Sequence, residues 1–487
     1  MMLAKGRLLV PNQMDVTMTQ EELIENVPFD EIQIGQSARL IRTLTVEDVQ
    51  SFAAVSGDVN PAHLDKAYAD ATRFHGVIGH GMWGGALISS VLGTQFPGPG
   101  TIYLSQSLKF LKPVHLGDTL TVAVTVSQMN PERKTVVLDC QVTNQKQEAV
   151  ITGEALVMAP TEKIRRPRMA LPAIHVFDPE KRLQAFLETA QRPTPTLCGV
   201  VHPCEGEALR AVLRATEMGL IEPVVFAPEA RLRAIAEEEG LDLNGLRIES
   251  VAHSHAAAEQ AALWAADLVS KQVPVMMLKG SLHTDELMHA LIANPTLRTK
   301  RRASHIFRMD APMYTKPLLI SDAALNIQPT LEEKVDIVQN AIDAAHALGV
   351  ANPKVALLSA VETVTAKIAS TLDAAALCKM ADRGQIKGAT LDGPLAFDNS
   401  ISVEAARIKG IVSPVAGDAD ILIVPDLESG NMLAKQLEYL GGAASCGVVL
   451  GLRVPVALTS RADGVASRVA SVAFALRVAA YYAEHQP

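Results

Sequence analysis

Hydrophobic and polar residues alternate with a period of two through most of residues 101–158. Because successive side chains of a β-strand point to opposite faces of a sheet, this alternation predicts strands with one buried face. The runs are rich in Val, Ile and Thr, which favour strands. The predicted strands are Thr101–Phe110, Thr119–Val126, Thr135–Thr143 and Ala149–Met158.

An apolar segment of helical character, Met82–Leu92, precedes these strands. Strands with one apolar face need a partner that covers this face, and a single apolar helix can supply it. Pro113 and the Gly117-Asp118 pair provide a turn between strands. The pattern therefore predicts an α+β domain in which a curved antiparallel sheet wraps around one helix.

After about residue 175 the pattern changes to short apolar strands separated by alanine-rich helices. Such alternation predicts an α/β domain with a largely parallel sheet and helices on both faces. The predicted strands include Val224–Phe226, Val273–Leu278, Val355–Leu358, Ile421–Val424 and Val454–Leu458.

Polar clusters follow several strands of this second half. Open α/β sheets bind ligands beyond the carboxyl ends of their strands. The clusters are therefore predicted to converge on one edge of the sheet. They are Lys279–Ser281, Ser321–Asn326, Pro425–Asn431 and Thr459–Asp463.

The chain has 487 residues, more than one ordinary hydrophobic core accommodates. Residues 160–172 are rich in proline and charge and have no periodicity, which is typical of a linker. We therefore predict an N-terminal extension over residues 1–34, a first domain over residues 35–159, a linker over residues 160–175 and a second domain over residues 176–487.

Composition narrows the classes of partner. The net charge of −9 disfavours a nucleic-acid partner, because duplex binding depends on basic residues that neutralise phosphates. No run approaches the roughly 20 apolar residues that span a bilayer, and the N-terminus lacks a signal-peptide pattern. The five cysteines are scattered, without paired spacing, which favours a reducing compartment and disfavours a structural zinc site. We expect a cytoplasmic protein that binds no metal.

Acid–base chemistry is indicated near residue 60. Asp58 and His63 flank Asn60-Pro61, a dipeptide that favours a turn, so both side chains can face one cleft and touch one water molecule. His80-Gly81-Met82 follows at the predicted start of the apolar helix. A backbone N–H at a helix N-terminus stabilises negative charge, so Gly81 can stabilise an oxyanion.

This string, with Phe74, Ile78 and Gly85, resembles the MaoC-like hydratases of the hot-dog fold, which add water to 2-enoyl-CoA thioesters. The resemblance implies that Asp58 and His63 form the hydratase dyad and that Gly81 N–H polarises the thioester carbonyl. It also implies that Ser89 supports the dyad and that the product is an (R)-3-hydroxyacyl-CoA.

Residues 176–487 resemble the phosphate acetyl/butyryltransferases, through Lys279-Gly280-Ser281, Asp392-Gly393-Pro394, Gly441-Gly442-Ala443 and Ser460-Arg461. That family exchanges CoA thioesters for acyl phosphates without a metal or an organic cofactor. The resemblance implies an isocitrate dehydrogenase-like α/β fold of two subdomains and, as in hot-dog proteins, a homo-oligomer, at least a dimer. It assigns catalysis to Ser460 and Arg461, and substrate binding to Arg302, Lys279, Asn326 and Asp463.

Two positions depart from the acetyl-type pattern. Ser467 stands where acetyl-type members carry an aspartate, and Met288 stands where the family has an arginine. The Ser-Arg-Ala-Asp sequence at residues 460–463 follows the butyryl-type pattern. Two functions therefore stay open for the second domain: an acyltransferase that uses acyl-CoA and phosphate, or a CoA-binding or oligomerisation module beside an active hydratase.

Overall fold

The computed structural model describes residues 23–169, 176–190 and 194–485. The chain divides into two compact units, one ending at Val176 and the other beginning at Phe177. Residues 1–22 of the predicted extension and residues 170–175 of the predicted linker lie outside the described residues.

The first unit contains a five-stranded antiparallel sheet of order β2-β4-β5-β6-β3 and a small sheet of β1 and β7. A 3₁₀ turn covers Phe29–Glu31. The strands are β1 (Leu23–Glu25), β2 (Ser37–Thr43), β3 (Ile102–Phe110), β4 (Thr119–Asn130), β5 (Thr135–Thr143), β6 (Ala149–Met158) and β7 (Arg165–Pro167), and the helices are α1 (Val46–Ser56), α2 (Pro61–Leu64), α3 (Lys66–Ala71) and α4 (Gly81–Thr94).

The helix α4 is the centre of this unit. Its side chains Ile88, Val91 and Leu92 are at most 2% exposed and pack with the inward-facing residues of β4 and β5. Full burial of such an aliphatic side chain contributes about 1.5–3 kcal/mol, so the apolar pattern of the helix accounts for its central position. The predicted α+β hot-dog arrangement is confirmed.

Parts of the predicted extension and linker belong to this unit. Phe29 and Ile32, within the predicted extension, are buried in the same core as α4. In the predicted linker, Arg165–Pro167 pairs with Leu23–Glu25 as the small antiparallel sheet. The apolar side chains of Phe29 and Ile32 explain why these residues pack against the domain.

Close strand pairing makes Gly153 a sensitive position. A Cβ atom there would lie 1.9 Å from the backbone oxygen of Ser107 on the paired strand β3. We expect Gly153→Ala to lower the free energy of unfolding of this unit by about 2 kcal/mol or more, because the strands must separate to admit the methyl group. Chemical denaturation followed by Trp83 fluorescence, in a Trp264→Phe background, measures this unit alone.

Gly93→Ala is the matched control, because a Cβ atom at this exposed position of α4 would meet no atom within 4 Å. Alanine favours a helix over glycine by roughly 1 kcal/mol, so we expect this variant to be as stable as the original or slightly more stable. Equal stability of Gly153→Ala and Gly93→Ala would contradict the predicted clash.

The second unit contains one eleven-stranded sheet. Its strands are β8 (Thr196–Val201), β9 (Ile221–Ala227), β10 (Arg247–Ser250), β11 (Val275–Lys279), β12 (Ser304–Asp310), β13 (Leu318–Ser321), β14 (Lys354–Leu358), β15 (Thr390–Leu395), β16 (Ile421–Ile423), β17 (Ala444–Leu450) and β18 (Val456–Ala457). Its helices are α5 (Pro179–Glu188), α6 (Gly206–Glu217), α7 (Glu229–Glu238), α8 (Ser254–Ser270), α9 (Thr284–Ala293), α10 (Leu331–Ala347), α11 (Ala369–Asp382), α12 (Phe397–Ile401), α13 (Val403–Ile408), α14 (Leu427–Tyr439) and α15 (Val465–Glu484).

The strand order is β10-β9-β8-β11-β18-β17-β12-β13-β16-β14-β15. The five strands from β10 to β18 are parallel, and so are the four strands from β13 to β15. Between them, β17 and β12 form only antiparallel pairs. The two parallel groups therefore run in opposite directions, and the prediction that all polar clusters follow strands to one edge of the sheet is wrong.

The register nevertheless brings the strand ends together. Hydrogen-bonded pairing places Leu278, Ala457, Val448, Ile306, Ser321 and Ile423 in one row across the sheet. The two parallel groups thus end at the same level of the central strands, from opposite sides. At about 4.8 Å between neighbouring strands, Ala457 and Ser321, which each end a strand, are separated by about 14 Å.

Among the described residues, no helix combines the length and apolar character that crossing a bilayer requires. All five cysteines are free thiols; Cys378 is partly exposed and the other four are buried.

Candidate active sites

The C-terminal end of helix α1 positions Asp58. Gly57 caps this helix with φ of 74°, a left-handed conformation that glycine adopts without strain, and so turns the chain. The carboxylate of Asp58 accepts the N–H of Asn60 at 3.2 Å, which fixes its orientation in the turn. Asp58 is exposed to solvent.

His63 lies on the one-turn helix α2. Pro61 occupies the first turn of this helix, where its missing N–H costs nothing, and Asn60 caps the helix by accepting the N–H of Ala62 at 3.1 Å. His63 Nδ1 lies 2.8 Å from the carbonyl oxygen of Ile78. A carbonyl only accepts, so Nδ1 carries the proton of the neutral ring, and Nε2 keeps a lone pair that can take a proton from water.

His80, to which the sequence analysis gave no role, contacts both Asp58 and His63. Its Nε2 donates to the carbonyl oxygen of Asp58 at 3.1 Å, and its ring centroid lies 3.9 Å from that of His63. His80 is only 4% exposed. His80 belongs to the His80-Gly81-Met82 motif that the sequence analysis singled out. Nothing in the sequence indicated that its ring would contact the turn at Asp58.

Asp58, His63 and Gly81 line one cleft of about 550 Å³. Gly81 begins α4, so its N–H belongs to the first turn, where backbone donors lack helical partners. A Cβ atom at Gly81 would lie 2.9 Å from the Phe110 ring, so glycine lets the cleft wall approach this backbone. Arg73 and Lys112 also line the cleft and supply positive charge for an anionic ligand.

Ser89 is exposed on α4 and is not among the residues that line this cleft. It lies eight residues, or about 12 Å, along the helix from Gly81. Its predicted support of the dyad stays a prediction.

Asp58, His63 and His80 are also the one group among the described residues whose side chains could together ligate a metal ion, with one ligand atom from each within 4.8 Å of the others. The hydrogen bonds of His63 Nδ1 and His80 Nε2 leave one nitrogen on each ring. The acid–base role predicted for this cleft involves only Asp58 and His63, and the expected absence of a metal stays a prediction.

In the second unit, Lys279 ends strand β11 with its side chain buried. Its Nζ lies 3.4 Å from the carbonyl oxygens of both Gly280 and Thr459. Burial, with the nearby charges of Arg468 and Arg461, lowers the pKa of Lys279 from 10.5 to about 8. Lys279 therefore lies beside the segment that carries Ser460 and Arg461, and it changes charge near neutral pH.

The segment Thr459–Asp463 forms a tight turn after β18. Asp463 accepts the N–H of Ser460 at 2.8 Å and donates its own N–H to the Ser460 carbonyl at 3.2 Å. Burial raises the pKa of Asp463, although its bond from Ser460 N–H opposes this rise. Arg461 is exposed, so its guanidinium is accessible to an anionic ligand.

Arg302 and Asn326 form a separate cluster, in which Arg302 Nε donates to Asn326 Oδ1 at 2.5 Å. Arg302 also pairs with Glu333, at 2.7 Å between Nη1 and Oε1. The Asp322 carboxylate accepts the N–H groups of Ala324 and Leu325 at 2.9 and 3.1 Å and so shapes the loop that presents Asn326. No hydrogen bond or ion pair of the described residues joins this cluster to Ser460–Asp463.

The two departures from the acetyl-type pattern have clear structural consequences. The hydroxyl of Ser467 donates to the carbonyl oxygen of Ser445, so it is committed to the backbone and offers no base. Met288 is 4% exposed and packs in an apolar cluster with Leu287 and Leu291, so this position contributes no charge to the site.

Arg468 is the residue of this site that the sequence analysis missed. It is buried beneath Thr459–Asp463 and hydrogen-bonds to this segment. A basic residue one position after Ser467 gives no sequence signal of this role.

Two family models match this chain, one in each unit. The model described as "Phosphate acetyl/butaryl transferase" matches residues 249–476. The model described as "MaoC like domain" matches residues 30–148.

Individual relatives match a longer part of the chain than the transferase family model does. A phosphate acetyltransferase of Rhizobium meliloti is 57% identical over 299 residues, which cover 61% of this chain and 92% of that protein. A phosphate butyryltransferase of Clostridium acetobutylicum is 40% identical over 272 residues, covering 56% of this chain and 89% of that protein. The crystal structure of a branched-chain phosphotransacylase from Enterococcus faecalis V583 is 31% identical, covering 58% of this chain and 99% of that chain with a TM-score of 0.51. The chain thus belongs to the phosphate acetyl/butyryl transferase family, and it carries a MaoC-like domain ahead of the transferase domain.

Proposed function

We propose that this chain is a two-site acyl-CoA enzyme. The first site hydrates trans-2-enoyl-CoA to (R)-3-hydroxyacyl-CoA, and the second reversibly transfers an acyl group between CoA and phosphate. The main support for the first activity is that Asp58, His63 and Gly81 line one cleft. The main support for the second is family membership, together with the buried Lys279 beside Ser460 and Arg461.

In the proposed hydration, a water molecule is held between the Asp58 carboxylate and His63 Nε2. The dyad removes a proton from the water as its oxygen bonds to the β-carbon, and it returns a proton to the α-carbon. Negative charge develops on the thioester oxygen in between, where Gly81 N–H donates to it. General acid–base catalysis of this kind contributes about 10²- to 10⁴-fold in rate.

In the proposed transfer, Arg461 and Arg302 hold phosphate and Ser460 donates to a phosphate or carbonyl oxygen. A phosphate oxygen bonds to the thioester carbonyl carbon, and the carbon–sulfur bond breaks without a covalent acyl-enzyme. The thiolate of CoA leaves with the electron pair. The protonated form of Lys279 stabilises this thiolate, because an ammonium group in a buried site interacts strongly with a neighbouring anion.

We further propose that neither reaction needs a metal or an organic cofactor, since CoA thioesters, water and phosphate supply all reacting atoms. A cytoplasmic location fits these substrates. A homo-oligomer is supported by the apolar side chains exposed on the edge strand β3, Ile102, Leu104 and Phe110, because exposed apolar edges are commonly covered by a partner.

Two assays on the purified full chain test this proposal. Hydration of crotonyl-CoA is followed by loss of the enoyl thioester absorbance, with chiral analysis of the hydroxy acid. Transfer is followed as thiol release from acetyl-CoA and butyryl-CoA with and without phosphate. We expect the (R) product and phosphate-stimulated release. Hydration without such release would favour a CoA-binding role for residues 176–487.

A further inference from the structure

Arg468 has an unusual environment for a charged side chain. It lies in the first turn of α15 and is 2% exposed. A cation there faces the positive end of the helix dipole, and burying a guanidinium is costly unless its donors are bonded. These costs indicate that Arg468 has a specific role.

Among the described residues, the side-chain hydrogen bonds of Arg468 go to the segment Thr459–Asp463. Nε donates to the Asp463 carbonyl at 2.9 Å and Nη1 to Thr459 Oγ1 at 3.2 Å. Nη2 donates to the carbonyls of Ser460 and Arg461 at 3.1 and 3.3 Å. The planar guanidinium of Arg468 therefore holds the backbone at Arg461 and on both sides of it.

We propose that Arg468 is the positioning residue of the transfer site, which holds the Ser460–Arg461 backbone in the geometry that phosphate and thioester require. This inference rests on the proposed transferase function. Positioning is demanding because a displacement of about 1 Å at a reacting group can cost about 10²-fold in rate.

The charge of Arg468 has a second effect, on Lys279. The charged groups that act on Lys279 are Arg468, Arg461, Glu205 and Asp463. The two arginines lower the pKa of Lys279 and the two acids raise it, while burial lowers it most. Removing the charge of Arg468 therefore raises the pKa of Lys279.

Arg477 provides the matched control, because it lies on the same helix and also donates to backbone carbonyls. Its Nε bonds to Ala347 at 3.0 Å and its Nη1 to Thr189 at 2.9 Å, at the C-terminal ends of α10 and α5. These contacts do not involve the segment Thr459–Asp463, so Arg477 shows what loss of a purely structural arginine does.

The experiment compares phosphate-dependent CoA release by the full chain carrying Arg468→Lys, Arg468→Met, Thr459→Val or Arg477→Met. We expect kcat to fall about 10²-fold in both Arg468 variants, because lysine cannot reproduce the planar fork. Thr459→Val, which removes one bond, should lose about tenfold. Arg477→Met should keep kcat within about threefold, and crotonyl-CoA hydration should stay at the wild-type rate in all four.

The pH dependence of acyl transfer distinguishes the positioning role of Arg468 from the effect of its charge on Lys279. Protonated Lys279 supports transfer, so wild-type activity should fall as the pH rises through about 8, the pKa of Lys279. In Arg468→Met this fall should move to higher pH, because the lost positive charge raises the pKa of Lys279. In Arg468→Lys the charge remains, so the fall should stay near its wild-type position although kcat is low.

Wild-type kcat in both Arg468 variants, or an equal loss in Arg477→Met, would overturn the inference. If Arg468→Met does not fold, Arg468→Lys and Thr459→Val decide the matter through their kcat. An inactive wild-type transferase would contradict the proposed function and this inference together, whereas an active wild type with active Arg468 variants contradicts the inference alone.

Discussion

Replacing Asp58 by Asn or His63 by Ala is expected to slow crotonyl-CoA hydration by about 10²- to 10⁴-fold, the contribution of a general acid–base group. The hydrogen bond from Nδ1 to Ile78 leaves His63 Nε2 as the proton acceptor of this ring. Asn at residue 58 keeps the shape of the turn but cannot take a proton. Steady-state hydration rates of the purified variants measure the loss.

Two comparisons control this result. Asp70→Asn removes an exposed carboxylate that pairs with Lys66 and does not line the cleft, so its hydration rate should match the wild type. Phosphate-dependent CoA release should be unchanged in Asp58→Asn and His63→Ala, because the second site does not include these residues. Near-wild-type hydration in both dyad variants would show that the dyad is assigned wrongly.

Replacing Arg461 by Ala is expected to abolish phosphate-dependent acyl transfer. A phosphate dianion beside a thioester must be held by fixed cationic donors before it can attack. Arg461 is exposed, and the bonds that Arg468 makes to its carbonyl and to that of Ser460 hold its backbone. Lysine should restore little activity, because it offers a point charge where guanidinium offers a planar pair of donors.

Arg302→Ala should reduce transfer less, because this guanidinium is already shared with Asn326 and Glu333. Arg407, exposed and paired with Glu404, is the matched control, and Arg407→Ala should transfer at the wild-type rate. We expect activity with both acetyl-CoA and butyryl-CoA. An Arg461→Ala variant that keeps wild-type transfer would remove Arg461 from the mechanism.

Local patterns were sufficient for four strands and the central helix of the first unit. The period-two runs predicted strands that the structure places at Ile102–Phe110, Thr119–Asn130, Thr135–Thr143 and Ala149–Met158. The burial of β4 and β5 alternates because one face of the sheet packs on α4, whereas β3, at the edge of the sheet, is mostly exposed. The turn that carries Asp58 and His63 was also predictable, because Asn60-Pro61 is a local signal.

The central strands of the second unit were not predictable in this way. β12 and β17 are buried on both faces, so their sequences show no alternation, and β12 includes the buried polar residues His305, Arg308 and Asp310. These two strands reverse the direction of the sheet. The converging strand ends depend on this reversal, which is a long-range pairing that no local pattern encodes.

Arg468 and His80 were missed for a related reason. Each acts through backbone carbonyls of a distant or differently folded segment: Arg468 on residues 460, 461 and 463, and His80 on Asp58. Carbonyl partners are present at every residue, so the sequence carries no signal for the pair. The carboxylate and imidazole groups proposed to touch substrate were recognisable by type and spacing, and the guanidinium groups by resemblance to a known family. The groups that position them became visible only in the folded chain.

The most direct test of two independent acyl-CoA sites is a crossed measurement on one set of preparations. Crotonyl-CoA hydration and phosphate-dependent CoA release are both measured for the wild type, Asp58→Asn and Arg461→Ala. The account predicts that the wild type performs both reactions, that Asp58→Asn loses only hydration and that Arg461→Ala loses only transfer. A wild-type chain whose CoA release is the same with and without phosphate would contradict it.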